Sequence, residues 1–372
     1  MSDQPKPGPL SYAQSGVDYG SLDPVKVLAQ RAAAGTAGGL ARFGLAEVAA
    51  SRGESAYVWE EPDAYRAFVV EGLGTKSLVG DAMRRITGRT YYDALARDTV
   101  AMIVNDVIVV GAEPVVVNAY WAVGSAAWFD DRPRAEDLVR GWSAACAESG
   151  ATWGGGETPA LAGVIAPDTI DLGGACMGIV RPKSRLVLGD RLATGDAIVL
   201  LASSGIHANG LTLARRLAGA LPQGYATDLG DGTMYGDALL APTLLYPAVV
   251  RDVLASVEVH YLVNVTGHGW RKLMRAQREL RYVLGTVPPQ TPLFRFLVER
   301  GALDAAEAYG TFNMGAGFAI YVGERDAAHV VEVAARHGIA AWHAGHVEAG
   351  PREVVIEPLG VRYAGETLAL RS

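Results

Sequence analysis

A short apolar run, Ala67-Phe68-Val69-Val70, empties into Glu71-Gly72-Leu73-Gly74-Thr75-Lys76. A chain that does this must fold a strand into a tight loop. The two glycines let backbone N–H groups approach a ligand closely, Lys76 brings a point charge, and Glu71 brings oxygen donors for a divalent cation. These are the ingredients of a loop that meets a phosphorylated ligand and its metal. The spacing is not that of a P-loop, and a plain strand end carrying an exposed lysine is the simpler alternative.

Other stretches bear on that choice. Residues 98–110 carry Val100, Ile103, Val104, Val107 and Ile108 at three- and four-residue intervals, with Gly111 placed to end a helix. Asp98, Asn105 and Asp106 are two helical turns apart and share one face off that stripe. They form either a solvated outer face, with Asp98 as a cap, or a magnesium-phosphate site, because such groups are costly when buried without partners. Strands are expected over 57–60, 67–70 and 114–123, and a helix over 135–149. Gly154-Gly155-Gly156-Glu157 then presents a carboxylate at a strand end, as a metal ligand or as an ordinary surface residue in a turn. A further strand leads to Val180, with Asp171 at its start.

After Arg181-Pro182-Lys183 the pattern restarts. Residues 197–202 form an apolar strand, and Ser203-Ser204-Gly205-Ile206-His207-Ala208-Asn209-Gly210 carries it into a helix over 211–221. Strand, polar glycine turn and helix N-terminus together make an anion site. His207 there either caps and packs, or binds phosphate and moves a proton. Thr266-Gly267-His268-Gly269-Trp270 repeats the arrangement after a strand over 257–265, before a basic helix with Arg271, Lys272 and Arg275. Near the N-terminus, residues 11–20 read as an extended arm and Pro24 as a helix start. The chain ends in alternating strands and helices, so the fold class is α+β or α/β.

Composition narrows the function. With 372 residues, 50% hydrophobic and 20% charged, the chain can bury a large core in about two domains. A formal net charge of -7 offers no general attraction to nucleic acid or an anionic membrane, so small anions are the better ligands. Cys146 and Cys176 give neither a disulfide framework nor a metal spacing, and the N-terminus reads as neither signal peptide nor membrane span. The expected location is the cytoplasm.

Taken in order, these motifs resemble aminoimidazole ribonucleotide synthetase, the phosphoribosylformylglycinamidine cyclo-ligase family of PurM-like proteins. The resemblance runs from Tyr12 to about Val347. It includes Gly16-Val17-Asp18, the 72–76 loop, the 98–106 helix, Gly111-Ala112-Glu113-Pro114, Gly155-Gly156-Glu157-Thr158, the 203–210 turn, Leu240-Ala241-Pro242-Thr243, Thr266-Gly267-x-Gly269, and Thr311-Phe312-Asn313-x-Gly315-x-Gly317. It implies a two-domain fold. Residues 1–182 would form an ATP-binding and dimerisation domain whose strands build a β-barrel across a homodimer, and residues 183–372 a mixed α/β domain closing over a phosphoribosyl-type substrate.

On the same resemblance the substrates are ATP, with Mg2+, and formylglycinamidine ribonucleotide. Gly72, Gly74, Thr75, Lys76, Asn105, Gly155 and Gly156 would meet ATP, and Glu71, Asp98, Asp106 and Glu157 the metal. Ser204, His207, Asn209, Thr266, Gly267 and Asn313 would meet substrate, with Lys76, His207 and Asp106 catalytic. A paralogue activating a different amide or small acceptor, and a non-catalytic nucleotide-binding scaffold, are the alternatives. Three positions depart from the family pattern: Glu71 stands for the usual Asp, Pro159-Ala160-Leu161-Ala162 for Ala-Glu-Met-Pro, and His268 for a glycine.

Overall fold

A computed structural model describes residues 19–368. The arm residues Gly16, Val17 and Asp18 lie outside that range. The first helix, α1 (Tyr19–Ala34), starts ahead of Pro24 and holds the proline inside it, where the sequence pattern puts the helix start. Strands β1 (Ala46–Glu47), β2 (Tyr57–Glu60) and β3 (Tyr65–Gly72) lead to the glycine loop, and α2 (Lys76–Thr87) begins on the lysine itself. Then come α3 (Tyr92–Val107), β4 (Glu113–Val123), α4 (Arg132–Glu148), β5 (Thr152–Glu157) and β6 (Ile170–Val180).

These six strands make one sheet in the order β1-β2-β3-β6-β4-β5. Its two faces differ because side chains alternate along each strand. Ala67 and Val69 point to the core, while Phe68 and Val70 point outward at 41% and 67% exposure. Tyr120 of β4 is on the exposed face as well, at 41%. Helix α3 packs on the inner face against β3 and β6. It starts at Tyr92, ahead of the apolar stripe, and residues 108–110 tighten into a 3-10 turn that stops at Gly111 in left-handed backbone. From Asp98 to Val107 every residue is buried, so this helix is core on all sides and its polar residues must find partners inside the protein.

The second sheet has seven strands, with helices between them. They are β7 (Asp196–Ala202), α5 (Leu211–Ala220), α6 (Tyr235–Leu239), α7 (Pro247–Ser256), β8 (Val259–Asn264), β9 (Leu280–Leu284) and α8 (Pro292–Gly301). The chain continues with α9 (Ala305–Thr311), β10 (Ala316–Gly323), α10 (Ala327–Arg336), β11 (Ala341–Ala349), β12 (Glu353–Ile356) and β13 (Val361–Ala364). The order is β13-β12-β9-β11-β7-β10-β8. β7 and β10 pair antiparallel near its middle and are buried along most of their length, as their unbroken apolar runs require. Where the sequence suggests a basic helix after Gly269, the backbone takes only a 3-10 turn, Gly269–Met274.

Candidate active site

The two halves meet through the polar face of α3. Asp98 is 0% exposed, as is Lys76 at the start of α2, and Lys76 Nζ lies 2.7 Å from Asp98 Oδ2. Lys76 also donates to the Ala241 carbonyl at 3.2 Å. The other carboxylate oxygen of Asp98 accepts from the Thr243 N–H at 2.8 Å and from its hydroxyl at 2.5 Å. Two turns of helix along, Asn105 donates to the Leu244 carbonyl at 2.9 Å and accepts from the Tyr246 N–H at 3.0 Å. Asp98 and Asn105 thus hold the segment after α6 by its backbone. Burial pulls the Lys76 ammonium below its usual range, and the Asp98 charge opposes that pull.

The 203–210 turn arrives at the same place. The Ser204 hydroxyl donates to the Pro242 carbonyl at 2.6 Å. His207 is buried, its backbone is left-handed at φ 58°, and its Nε2 accepts from the Ser204 N–H at 3.3 Å. Burial, and then the Lys76 charge, push its imidazole down to about 3, so the ring is neutral with its proton on Nδ1. Asn313 ties the turn down from behind: it donates to the Gly205 carbonyl at 2.8 Å and accepts from the Ser203 hydroxyl at 2.9 Å.

Asp106, on the next position of α3, faces elsewhere. It accepts from Asn264 Nδ2 at 2.7 Å and shares a hydrogen bond with the Glu71 carboxyl. Burial, and then the Asp106 charge, raise Glu71 to about 8, so at neutral pH the Glu71 carboxyl keeps its proton. Both border a cavity of about 350 Å³ with Met102, Asn209, Thr266 and Gly267. The rest of its wall is mixed: the cations Lys272, Arg275 and Lys26 of α1 stand with His268, Gln30, Gly53, Ser55 and the Glu54 carboxylate. His268, at φ 71° and buried, places Nε2 3.3 Å from Asp23 Oδ2, which ties the 266–269 turn to α1.

Glu71 also borders a second hollow, of about 490 Å³, on the open face of the first sheet, with Gly72, Asn118, Tyr120, Asp171 and Gly173. The remaining predicted residues are apart from the cavity. Gly155, Gly156 and Glu157 are exposed on the edge strand β5, and a Cβ at Gly156 would overlap the Ala119 carbonyl oxygen of the neighbouring strand. Gly74 makes the turn into α2 in left-handed backbone at φ 69°, with Thr75 at the N-cap.

Of the four expected metal ligands, Glu71 and Asp106 come together, Asp98 is paired with Lys76, and Glu157 is on the sheet edge. Among the described residues no group of three or more His, Cys, Asp or Glu side chains gathers as a cation site. The Glu71–Asp106 pair still suits one divalent cation, since two hard oxygen donors held within hydrogen-bond reach can exchange the Glu71 proton for a metal. Sequence reasoning did not single out Asn264 or Lys272 as site residues. Asn264 ends an apolar strand, where a buried amide signals a partner, and in the sequence Lys272 looks like one charge of a basic helix.

Two family models match the chain. AIR synthase related protein, N-terminal domain, covers residues 53–180, and its C-terminal domain covers residues 193–357. The phosphoribosylformylglycinamidine cyclo-ligase of Methanococcus maripaludis (strain C5) is 33% identical over 298 residues, 80% of this chain and 82% of that protein. Among solved structures, a HypE-HypF complex aligns with a TM-score of 0.61 at 16% identity, over 84% of this chain and 92% of that one. Hydrogenase maturation protein HypE in complex with ATP aligns at 0.55 and 22%, over 72% and 78%. With both of its domain models matched in order, and a third of the aligned residues shared with a cyclo-ligase, the chain belongs to the AIR synthase related family of enzymes.

Proposed function

We propose that the protein is an ATP-dependent cyclo-ligase that converts formylglycinamidine ribonucleotide to aminoimidazole ribonucleotide in the cytoplasm. The observation that carries the reading is the acid pair of half-buried Glu71 and buried Asp106, set in a cavity beside the 266–269 turn at the end of the glycine-loop strand. In this reaction the γ-phosphoryl group of ATP moves to the substrate amide oxygen, an amine attacks the resulting iminophosphate carbon, and phosphate leaves as the ring closes. Bound magnesium supplies neutralisation of the transferring phosphoryl group.

Glu71 and Asp106 would hold that ion, and Asn264 orients Asp106 through its hydrogen bond. The amides of Gly72, Gly74 and Thr75 are the loop donors for ATP, and Asn209, Thr266 and Gly267 are the cavity groups for substrate. Lys76 and Asp98 neutralise each other under the Ala241–Thr243 backbone, and Ser204, His207 and Asn313 brace the same region, so these residues position the site. Residues 1–182 and 183–372 serve as the nucleotide and substrate halves. The outward apolar face at Phe68, Val70 and Tyr120 supports a homodimer joined through the first sheet, where Gly155, Gly156 and Glu157 would complete a partner's site.

The test is turnover with Mg-ATP and formylglycinamidine ribonucleotide. ADP release that depends on the nucleotide, with aminoimidazole product, is expected; no product would overturn the reading. A second reading, a paralogue that activates another amide, is favoured by His268 and Lys272 on the cavity wall, and a different amide supporting ADP release would select it.

A further inference from the structure

The cations of the cavity wall are unused by the phosphoryl transfer. Lys272 is only 7% exposed, and the one hydrogen bond its ammonium makes among the described residues is to the neutral Thr266 hydroxyl. An ammonium has three N–H donors, and a buried one without an anionic partner costs free energy. The other two cations of the wall are matched. Arg275 donates to the Gly53 carbonyl at 2.9 Å and to Ser55 at 2.8 Å and stands 3.5 Å from Glu54, and Lys26 pairs with Asp23 at 2.8 Å. Asp106 and Glu71 attract Lys272 across the cavity, and among the described residues no carboxylate comes within ion-pair distance of it. The Gly267 N–H, beside it in the turn, makes no backbone hydrogen bond among the described residues.

We propose that Lys272 Nζ and the Thr266 hydroxyl anchor the phosphate ester of the small-molecule substrate, at a subsite separate from the ATP phosphates. This deepens the preceding reading and rests on its phosphoribosyl substrate. A phosphate ester matches the chemistry: its several acceptor oxygens can take the spare donors of Lys272, and its charge supplies the anionic partner that the buried ammonium lacks. The Thr266 side chain, held by Lys272 itself, supplies a donor on the same wall.

Calorimetric titration of the full chain with ribose 5-phosphate, ribose and inorganic phosphate tests it, each with and without a non-hydrolysable Mg-ATP analogue. Ribose 5-phosphate should bind, inorganic phosphate should compete with it and ribose should not. Lys272→Met should weaken that binding about tenfold or more, the scale of a lost charge-assisted hydrogen bond, and Thr266→Val several-fold, with analogue binding unchanged in both. Thr266→Val carries the test should Lys272→Met fail to fold. No binding of ribose 5-phosphate, equal binding by both variants, competition by ribose, or displacement by the ATP analogue would each overturn the subsite. Failure of the cyclo-ligase reading is a separate result, seen as absent aminoimidazole product in the turnover assay.

Discussion

Lys76 Nζ and Asp98 Oδ2 are 2.7 Å apart at a place where neither residue has any solvent exposure, and the pair lies under backbone contributed by the other half of the chain. Two charges removed from water are tolerable only together. Lys76→Met should therefore destabilise the protein by about 3–5 kcal/mol, because Asp98 is left charged and alone. Adding Asp98→Asn, which keeps an acceptor for Thr243, should recover much of that loss. Urea denaturation of the two variants decides; an unchanged midpoint for Lys76→Met would show that the pair contributes nothing.

The neutral state of His207 predicts an acid limb of stability. Its imidazole is held at about 3 against an ordinary 6.5. Between those values the unfolded chain binds a proton that the folded chain refuses, so stability present above about pH 6.5 is lost as pH falls, by up to roughly 1.4 kcal/mol per unit. His207→Asn keeps a residue that tolerates left-handed backbone and should flatten this limb. Superimposable stability curves from pH 6.5 to 4 would refute the assignment.

Gly317 explains a close approach that sequence alone leaves unexplained. A Cβ there would overlap the Tyr246 hydroxyl and stand 2.6 Å from His207 Cε1. Gly317→Ala should cost about 1–3 kcal/mol by overpacking, measured as a lowered melting temperature. A variant as stable as the parent would mean that His207 and Tyr246 move aside freely.

Chelation should abolish ADP release, and magnesium should restore it. Asp106→Asn should raise the magnesium concentration needed for half-maximal ADP release at least about tenfold, since the change removes a charged donor and loss even of an outer-shell partner has that size of effect. The titration is read from ADP against free magnesium. An unshifted curve would remove Asp106 from the metal site.

The open face of the first sheet predicts the assembly. Val70, 67% exposed, shares the outward face with Phe68 and Tyr120. Val70→Asp places a charge that cannot be buried without a partner and should convert a dimer to monomer, read by light scattering. A monomeric parent protein, or a dimer indifferent to the charge, would exclude this face as the interface.

Much of the architecture was legible in the chain because local rules govern it. The stripe of Val100, Ile103, Val104 and Val107 marks α3, the alternation along 170–180 marks β6, and the unbroken apolar runs mark β7 and β10. Boundaries moved where tertiary contacts override local preference. α3 gains its first turns at Tyr92, outside the apolar stripe, because Tyr92 and Leu95 are buried against neighbouring elements. The 269–274 stretch stays a 3-10 turn while burying Trp270, whose indole N–H donates to the Asn313 carbonyl at 2.8 Å.

By itself the sequence determined which side chains are available and in what order: a glycine loop ending in Lys76, a helix with Asp98, Asn105 and Asp106 on one face, and two polar turns near 205 and 267. Helical spacing puts those three polar residues on one face but says nothing of what they meet. Only the tertiary structure decided that Asp98 is neutralised by Lys76, that Asn105 grips the backbone after α6, and that Asp106 alone turns with Glu71 into the cavity. The reason is physical: a buried carboxylate takes its character from the charges and donors nearest it, and those come from other elements of the chain, Lys76 and Glu71 from the glycine-loop region and Thr243 and Asn264 from more than a hundred positions away.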